Sequence, residues 1–359
     1  MVCLEGSQGW QKAYCLCHVM GRFSLLRLGA AVWQLGIHHD HRLMTMNSPV
    51  QLYIGPELAR YGFGEGHPFG PDRMDAFWNE TIKQELDKRV SITAPQEATA
   101  DAIGRFHTAE YIERVINQSE TGEGFLDYGD TPAFKGVYEA AATVAGTVLA
   151  AAEEIINGSH RRCFIPIAGL HHARRDIAAG FCVFNDAGIL IETLRAIYGI
   201  KRIAYVDIDA HHGDGVFYAF ESDPDVWITD IHEDGRYLYP GTGLAHETGT
   251  GEAVGTKLNL PLPPNADDND FHQVWPQAEA HIRESKPEII IFQCGADSIA
   301  DDPITHMRFT PAAHTHAAAS LCRIADELCR GRIVALGGGG YNRNNLAAGW
   351  NAVLDQMCN

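Results

Sequence analysis

Short β-branched runs alternate along this chain with longer stretches of helical periodicity, and that alternation restricts the fold more than any other feature. Residues 51–55, 162–168, 202–209, 226–231, 257–262, 288–294 and 332–336 read as strands. Residues 74–88, 108–117, 136–156, 187–197, 271–283, 311–328 and 345–356 read as the helices around and between them. Parallel strands need crossover connections long enough to hold a helix, so this pattern predicts one mostly parallel sheet with helices on both faces. The expected class is α/β. No repeat or low-complexity linker divides the chain, so residues 49–359 are expected to form one domain. Residues 1–48 differ: they carry Cys3, Cys15 and Cys17, hold no acid between Glu5 and Asp40, and lack the uninterrupted apolar core of a signal peptide. They read as a dispensable extension, with Met44 or Met46 near the functional start.

The chain is acidic. Lys+Arg 28 against Asp+Glu 46 gives 28 − 46 = −18, which argues against direct nucleic-acid binding and favours cationic substrates. Its 9 cysteines are odd in number, and Cys163, Cys182 and Cys294 lie in apolar contexts. That usage fits a reducing compartment, and a cytoplasmic location is expected. No apolar run reaches the roughly 18 residues of a membrane span. Oligomeric state stays open, a homo-oligomer included.

Polar residues gather at the predicted strand ends. The apolar run Ile203–Val206 leads into Asp207, Asp209, His211, His212 and Asp214, with Gly213 and Gly215 among them. A helix cap needs fewer ionisable groups than this, and so many carboxylates at a buried strand end require a cation. Asp209 and His211 are two apart and share a face on an extended chain. Three further clusters follow other strands: Gly169-Leu170-His171-His172, Cys294-Gly295-Ala296-Asp297, and Gly337–Gly340 followed by Tyr341. Strand ends of one parallel sheet meet at one rim, where ligands bind. There Asp209, His211 and Asp297 would hold a metal with an open position. The two histidines supply base and acid, Asp207 and Asp214 hold imidazole N–H groups, and the Tyr341 phenol can donate to an oxyanion. The glycine run lacks the Lys-Ser/Thr of a phosphate-binding loop.

These motifs resemble, in order and spacing, the zinc-dependent histone deacetylase family, which includes the bacterial acetoin-utilisation type and the acetylpolyamine amidohydrolases. The resemblance runs from about Gln51 to the C-terminus and includes His67-Pro68-Phe69-Gly70-Pro71-Asp72-Arg73 and Phe106-His107-Thr108-Ala109-Glu110-Tyr111. It implies the arginase–deacetylase three-layer α/β/α fold, with residues 49–359 as the deacetylase domain. It implies zinc at Asp209, His211 and Asp297, with iron(II) as an alternative. His171 and His172 match the tandem histidines, backed by Asp207 and Asp214, with His172 the better candidate for general base. Tyr341 matches the carbonyl-polarising tyrosine, Gly180 and Phe181 the channel wall, Asp130 the rim aspartate and Arg73 the arginine of the acetate-release cavity. A structural potassium ion is implied at Asp207 and the carbonyls of Asp209, His211 and Ile231. Asp230 stands where many relatives have Ser, which could tighten cation binding. Leu238 and Tyr239 replace an aromatic pair, and Ile304 stands where some polyamine deacetylases carry an acid. These three are expected to contact substrate, as is Gly339.

The activity implied is hydrolysis of acetyl or other acyl groups from lysine side chains of proteins or peptides by metal-activated water. An acetylpolyamine or other small N-acyl amide is the alternative substrate, and a non-catalytic acyl-lysine binding protein a distant one. A dinuclear arginase-like centre would need acids where Gly213 and Ile299 stand. Simpler roles are also open: His107 as a helix anchor, Asp130 as a turn residue, Tyr239 as core packing, His212 as turn support.

Overall fold

The computed structural model describes residues 50–359 except Glu65; the expected extension over residues 1–48 lies outside the described residues. The strands are β1 (Val50–Tyr53), β2 (Ser91–Thr93), β3 (Arg162–Ile165), β4 (Ile203–Asp207), β5 (Val226–Glu233), β6 (Lys257–Leu262), β7 (Ile289–Gln293) and β8 (Ile333–Leu336). They form one 8-stranded sheet in the order β2-β1-β3-β8-β7-β4-β5-β6, and every pair is parallel. The helices are α1 (Pro56–Ala59), α2 (Arg73–Lys83), α3 (Ala100–Ile103), α4 (Ala109–Thr121), α5 (Val137–Asn157), α6 (Asp186–Tyr198), α7 (Asp214–Ala219), α8 (Asp268–Glu284), α9 (Pro311–Leu328) and α10 (Arg343–Met357). Packing joins α2, α10, α9 and α8 in one layer and α4, α5, α6 and α7 in another. The architecture is three-layer α/β/α. Strands β3, β4, β7 and β8 are buried along their whole length, which is why they read as unbroken apolar runs.

Some boundaries differ from expectation. The helix expected over 74–88 ends at Lys83, because Glu85 turns left-handed at φ 57° before a 3-10 turn at Leu86–Lys88. The edge strand β2 was not expected; it is short and half-exposed, with no apolar run to mark it. β4 ends two residues early, at Asp207, and β5 continues through His232 and Glu233.

His107 anchors a helix start, though chiefly that of α6. The backbone N–H of Asn185, the N-cap residue of α6, donates to His107 Nε2 at 2.9 Å, and His107 Nδ1 lies 3.3 Å from the Arg175 carbonyl. Burial pulls this imidazole down to about 3, so it is neutral when folded, whereas an unfolded His titrates near 6.5. Below that pH the unfolded chain takes up a proton that the native chain refuses. Stability therefore falls as pH drops from about 6.5 toward 3. At about pH 5 the loss from this residue is roughly 2 kcal/mol. Urea unfolding near pH 7 and pH 5 checks this: the acid-induced drop should shrink by that amount in His107→Gln. An equal drop in both proteins would remove His107 as its cause.

Candidate active site

The four central strands β3, β8, β7 and β4 are neighbours, so the polar clusters that follow them meet at one rim. Asp209 and His211 reach it by a different route from the one expected. They lie past the end of β4, where strand alternation no longer applies, and backbone hydrogen bonds curl the loop instead. Asp209 N–H donates to Asp207 Oδ1 (3.0 Å), His211 N–H to Asp209 Oδ1 (3.0 Å) and Ala210 N–H to Asp297 Oδ1 (2.9 Å).

That curl brings His211 Nδ1 to 3.0 Å from Asp209 Oδ1 and 3.1 Å from Asp297 Oδ2. One donor atom from each of the three lies within 4.8 Å of the others, and all three residues are buried. The outward oxygens are already supported: Asp209 Oδ2 accepts from Gln293 Nε2 and from Gly339 N–H, both at 2.9 Å. Burial and the adjacent Asp209 carboxylate push Asp297 up to about 7, since two carboxylates this close resist sharing negative charge without a cation. This donor set suits zinc or iron(II).

Two His–Asp pairs stand beside it. His171 Nδ1 is 2.8 Å from Asp207 Oδ2, which also accepts from the Tyr205 hydroxyl at 2.7 Å. His172 Nδ1 is 2.8 Å from Asp214 Oδ1, and the two Nε2 atoms lie 3.0 Å apart. Burial works against charge on His171, yet Asp207 and Asp209 outweigh it and hold the imidazole up at about 9. Burial, with the His171 charge alongside, holds His172 down at about 4. Gly213 has no room for a side chain: a Cβ there would lie 2.9 Å from Asp207 Oδ2 and 3.1 Å from His171 Nδ1. Its glycine therefore belongs to the first pair as much as to the metal count.

A pocket of about 300 Å³ opens onto this centre, lined by Asp130, His172, Gly180, Phe181, His211, Leu238, Tyr239, Ile304 and Tyr341. Burial pushes the Tyr341 phenol well above its ordinary value, keeping it a donor. Tyr239 is not core packing: it is 45% exposed, with its ring 5.1 Å from that of His172. Asp130 does not organise its turn. Asp127 does, its Oδ1 accepting the N–H groups of Gly129, Asp130 and Thr131. A larger cavity of about 700 Å³, lined by residues such as Glu57, Arg60 and Phe134, lies away from both His–Asp pairs and from the Asp209–His211–Asp297 cluster. Volume does not mark the chemistry here.

Gly339 borders the Asp209 and Asp297 carboxylates and lines a small inner cavity that shares His172, Gly180, His211 and Tyr341 with the pocket. Arg73 is fully buried and holds the glycine run, donating to the Gly340 carbonyl (Nε, 2.9 Å) and the Gly338 carbonyl (Nη2, 2.6 Å), while its Nη1 has no partner among the described residues. Both Asp230 oxygens have partners: Oδ1 meets His232 Nδ1 at 2.7 Å and Oδ2 accepts from Gly213 N–H at 3.0 Å. His212, expected only to support the turn, fastens the segment after Tyr239 through Thr242 Oγ1 at 2.8 Å.

Sequence reasoning missed several supports. Gln293 braces Asp209, Asp186 accepts the N–H groups of Gly169 and Leu170, and Asp302 accepts those of Tyr341 and Ile304. Gln293 did carry a signal, as a polar residue closing an otherwise apolar strand.

A family model for the histone deacetylase domain matches residues 67–357. The chain is 35% identical over 307 residues to the acetoin utilization protein AcuC of Bacillus subtilis (strain 168), covering 83% of this chain and 78% of that protein. It is 32% identical over 310 residues to histone deacetylase clr6 of Schizosaccharomyces pombe, covering 84% and 75%. Among solved structures, the crystal structure of the HDA15 HD domain matches with a TM-score of 0.79 at 26% identity, over 86% of this chain and 88% of that one. The matched residues take in the Asp209–His211–Asp297 cluster, both His–Asp pairs and Tyr341, and over that span the chain belongs to the histone deacetylase family.

Proposed function

We propose that this chain is a metal-dependent amidohydrolase that removes acetyl or other acyl groups from lysine side chains of proteins or peptides. One observation carries the reading: a three-donor cluster, two His–Asp pairs and a half-buried phenol converge at the end of one narrow pocket. Family membership supports deacetylation as the activity. A divalent ion, zinc or iron(II), held by Asp209, His211 and Asp297, would polarise the amide carbonyl and lower the pKa of a water beside it.

The chain's own groups do the rest. His172 is neutral at working pH, and Asp214 fixes its Nδ1, so its Nε2, which lies 3.0 Å from His171 Nε2, takes the proton of the attacking water as that contact opens. The same nitrogen then returns a proton to the leaving lysine amine. Tyr341 donates its hydroxyl hydrogen to the oxygen of the tetrahedral intermediate. Phe181, Gly180, Leu238, Tyr239 and Ile304 surround the acyl-lysine chain and exclude water. Asp130 holds substrate backbone at the mouth, and the unpartnered Arg73 Nη1 attracts the acetate product. The reading includes a structural potassium ion at Asp207 and the carbonyls of Asp209, His211 and Ile231. Asp230 takes part there as half of a His232 pair.

An activity panel tests this. Chelation should abolish hydrolysis of an acetyl-lysine peptide, and zinc or iron(II) should restore it. Faster turnover of N-acetylpolyamines than of peptides would move the assignment to the small-molecule reading. Peptide binding without turnover of any acyl amide would leave a binding protein.

A further inference from the structure

A groove of about 470 Å³ continues outward from the pocket mouth, sharing Asp130 and Tyr239 with it. An acyl-lysine side chain, or a linear polyamine, occupies only the narrow pocket. The groove beside it has room for several further residues of substrate. Its lining exposes aromatic surface that no other described residue covers: Tyr128 is 99% exposed and Tyr239 is 45% exposed. Arg174 is the one basic side chain among the described residues that line it. Asp127 Oδ1 accepts three backbone N–H groups, as described above.

Arg174 faces two ways. Its Nη2 donates to Asp214 Oδ2 at 3.2 Å, behind the His172 pair, while its side chain remains 58% exposed. A guanidinium carries five N–H donors, so one contact leaves the others free for a ligand oxygen. From this placement we infer that the groove binds the polypeptide flanking the acyl-lysine and that Arg174 selects an acidic residue within it. The inference rests on the deacetylase reading and narrows its substrate to protein or peptide with an acidic neighbour. Asp130 takes the backbone at the mouth, Tyr128 and Tyr239 cover apolar atoms of the flanking segment, and Arg174 takes a carboxylate. An exposed ion pair of this kind is worth up to about 1 kcal/mol, or roughly fivefold.

The test uses the metal-loaded full chain and acetyl-lysine peptides that differ only in the residues on either side: Glu, Gln or Lys. On one side at least, kcat/KM should favour Glu over Gln by about three- to fivefold, less at high salt. That ratio should fall to about one in Arg174→Gln and turn toward Lys in Arg174→Glu. Any loss of rate through Asp214 cancels, because each ratio compares peptides on the same variant. Tyr128→Ala, at an exposed position, should raise the ratio of the KM for peptide to that for flankless Nε-acetyl-lysine by roughly threefold. A flat peptide series in the parent protein overturns the inference, as does a preference that survives Arg174→Gln. Turnover of N-acetylpolyamines with none of peptides overturns it while sparing the chemistry. If nothing is hydrolysed, the deacetylase reading fails, and anisotropy with the same labelled peptides decides the groove separately. Tighter binding of the Glu peptide that is lost in Arg174→Gln supports it, and equal binding overturns it.

Discussion

His172→Ala is expected to lower kcat on an acetyl-lysine peptide by about 100- to 10,000-fold, with metal content unchanged. The expectation follows from two features of the pair. Asp214 fixes the Nδ1 side at 2.8 Å, which leaves Nε2 to handle the proton, and burial keeps the ring neutral and able to accept it. His172 lies outside the Asp209–His211–Asp297 cluster proposed to hold the metal, so its loss should spare the metal. Asp214→Asn should reproduce part of the defect, since an amide can present its NH2 to Nδ1 and turn the ring to the wrong tautomer. Steady-state kinetics with metal analysis on each variant are the measurement. Unchanged turnover in His172→Ala would eliminate it as the base and pass the role to His171.

The second large effect is expected at a residue with no side chain. Gly339→Ala should strip the centre of metal and cost about 100-fold or more in activity, while the protein still folds. A Cβ at this position would lie 2.1 Å from Asp297 Oδ2 and 2.8 Å from Asp209 Oδ2. Oxygen and carbon cannot approach so closely, so at least one carboxylate must move by about 1 Å, a misplacement that costs about a hundredfold at a catalytic centre. Gly295 crowds the same oxygen, since a Cβ there would lie 2.0 Å from Asp209 Oδ2, and Gln293 Nε2 holds that oxygen at 2.9 Å. Metal per chain after reconstitution, read beside circular dichroism, separates loss of the centre from loss of the fold. Full occupancy in a folded Gly339→Ala protein would show that the carboxylates relax more freely than this packing allows.

Several elements are legible in the sequence alone. Strands β3, β4, β7 and β8 are buried on both faces and must be apolar throughout, so they stand out as runs. The chemistry-bearing residues stand immediately after those runs, which made Asp209, His211, Asp297, the tandem histidines and Tyr341 findable. Supports such as Gln293, Asp186 and Asp302 were much less so. Each acts on a partner far away in the chain or through a backbone N–H, and neither leaves a local pattern. The same holds for Arg174, which looks like any surface arginine until Asp214 is found behind it.

By itself, the sequence determined the parallel α/β class and the cluster after Ile203–Val206, because burial and strand alternation are local demands that each segment meets with its own residues. Only the tertiary structure decided how that cluster works. Strand order set β3, β8, β7 and β4 side by side, and loop hydrogen bonds rather than strand alternation turned Asp209 and His211 together. Close packing then made Gly213 and Gly339 obligatory. These are relations between segments distant in the chain, and they exist only once the sheet has assembled.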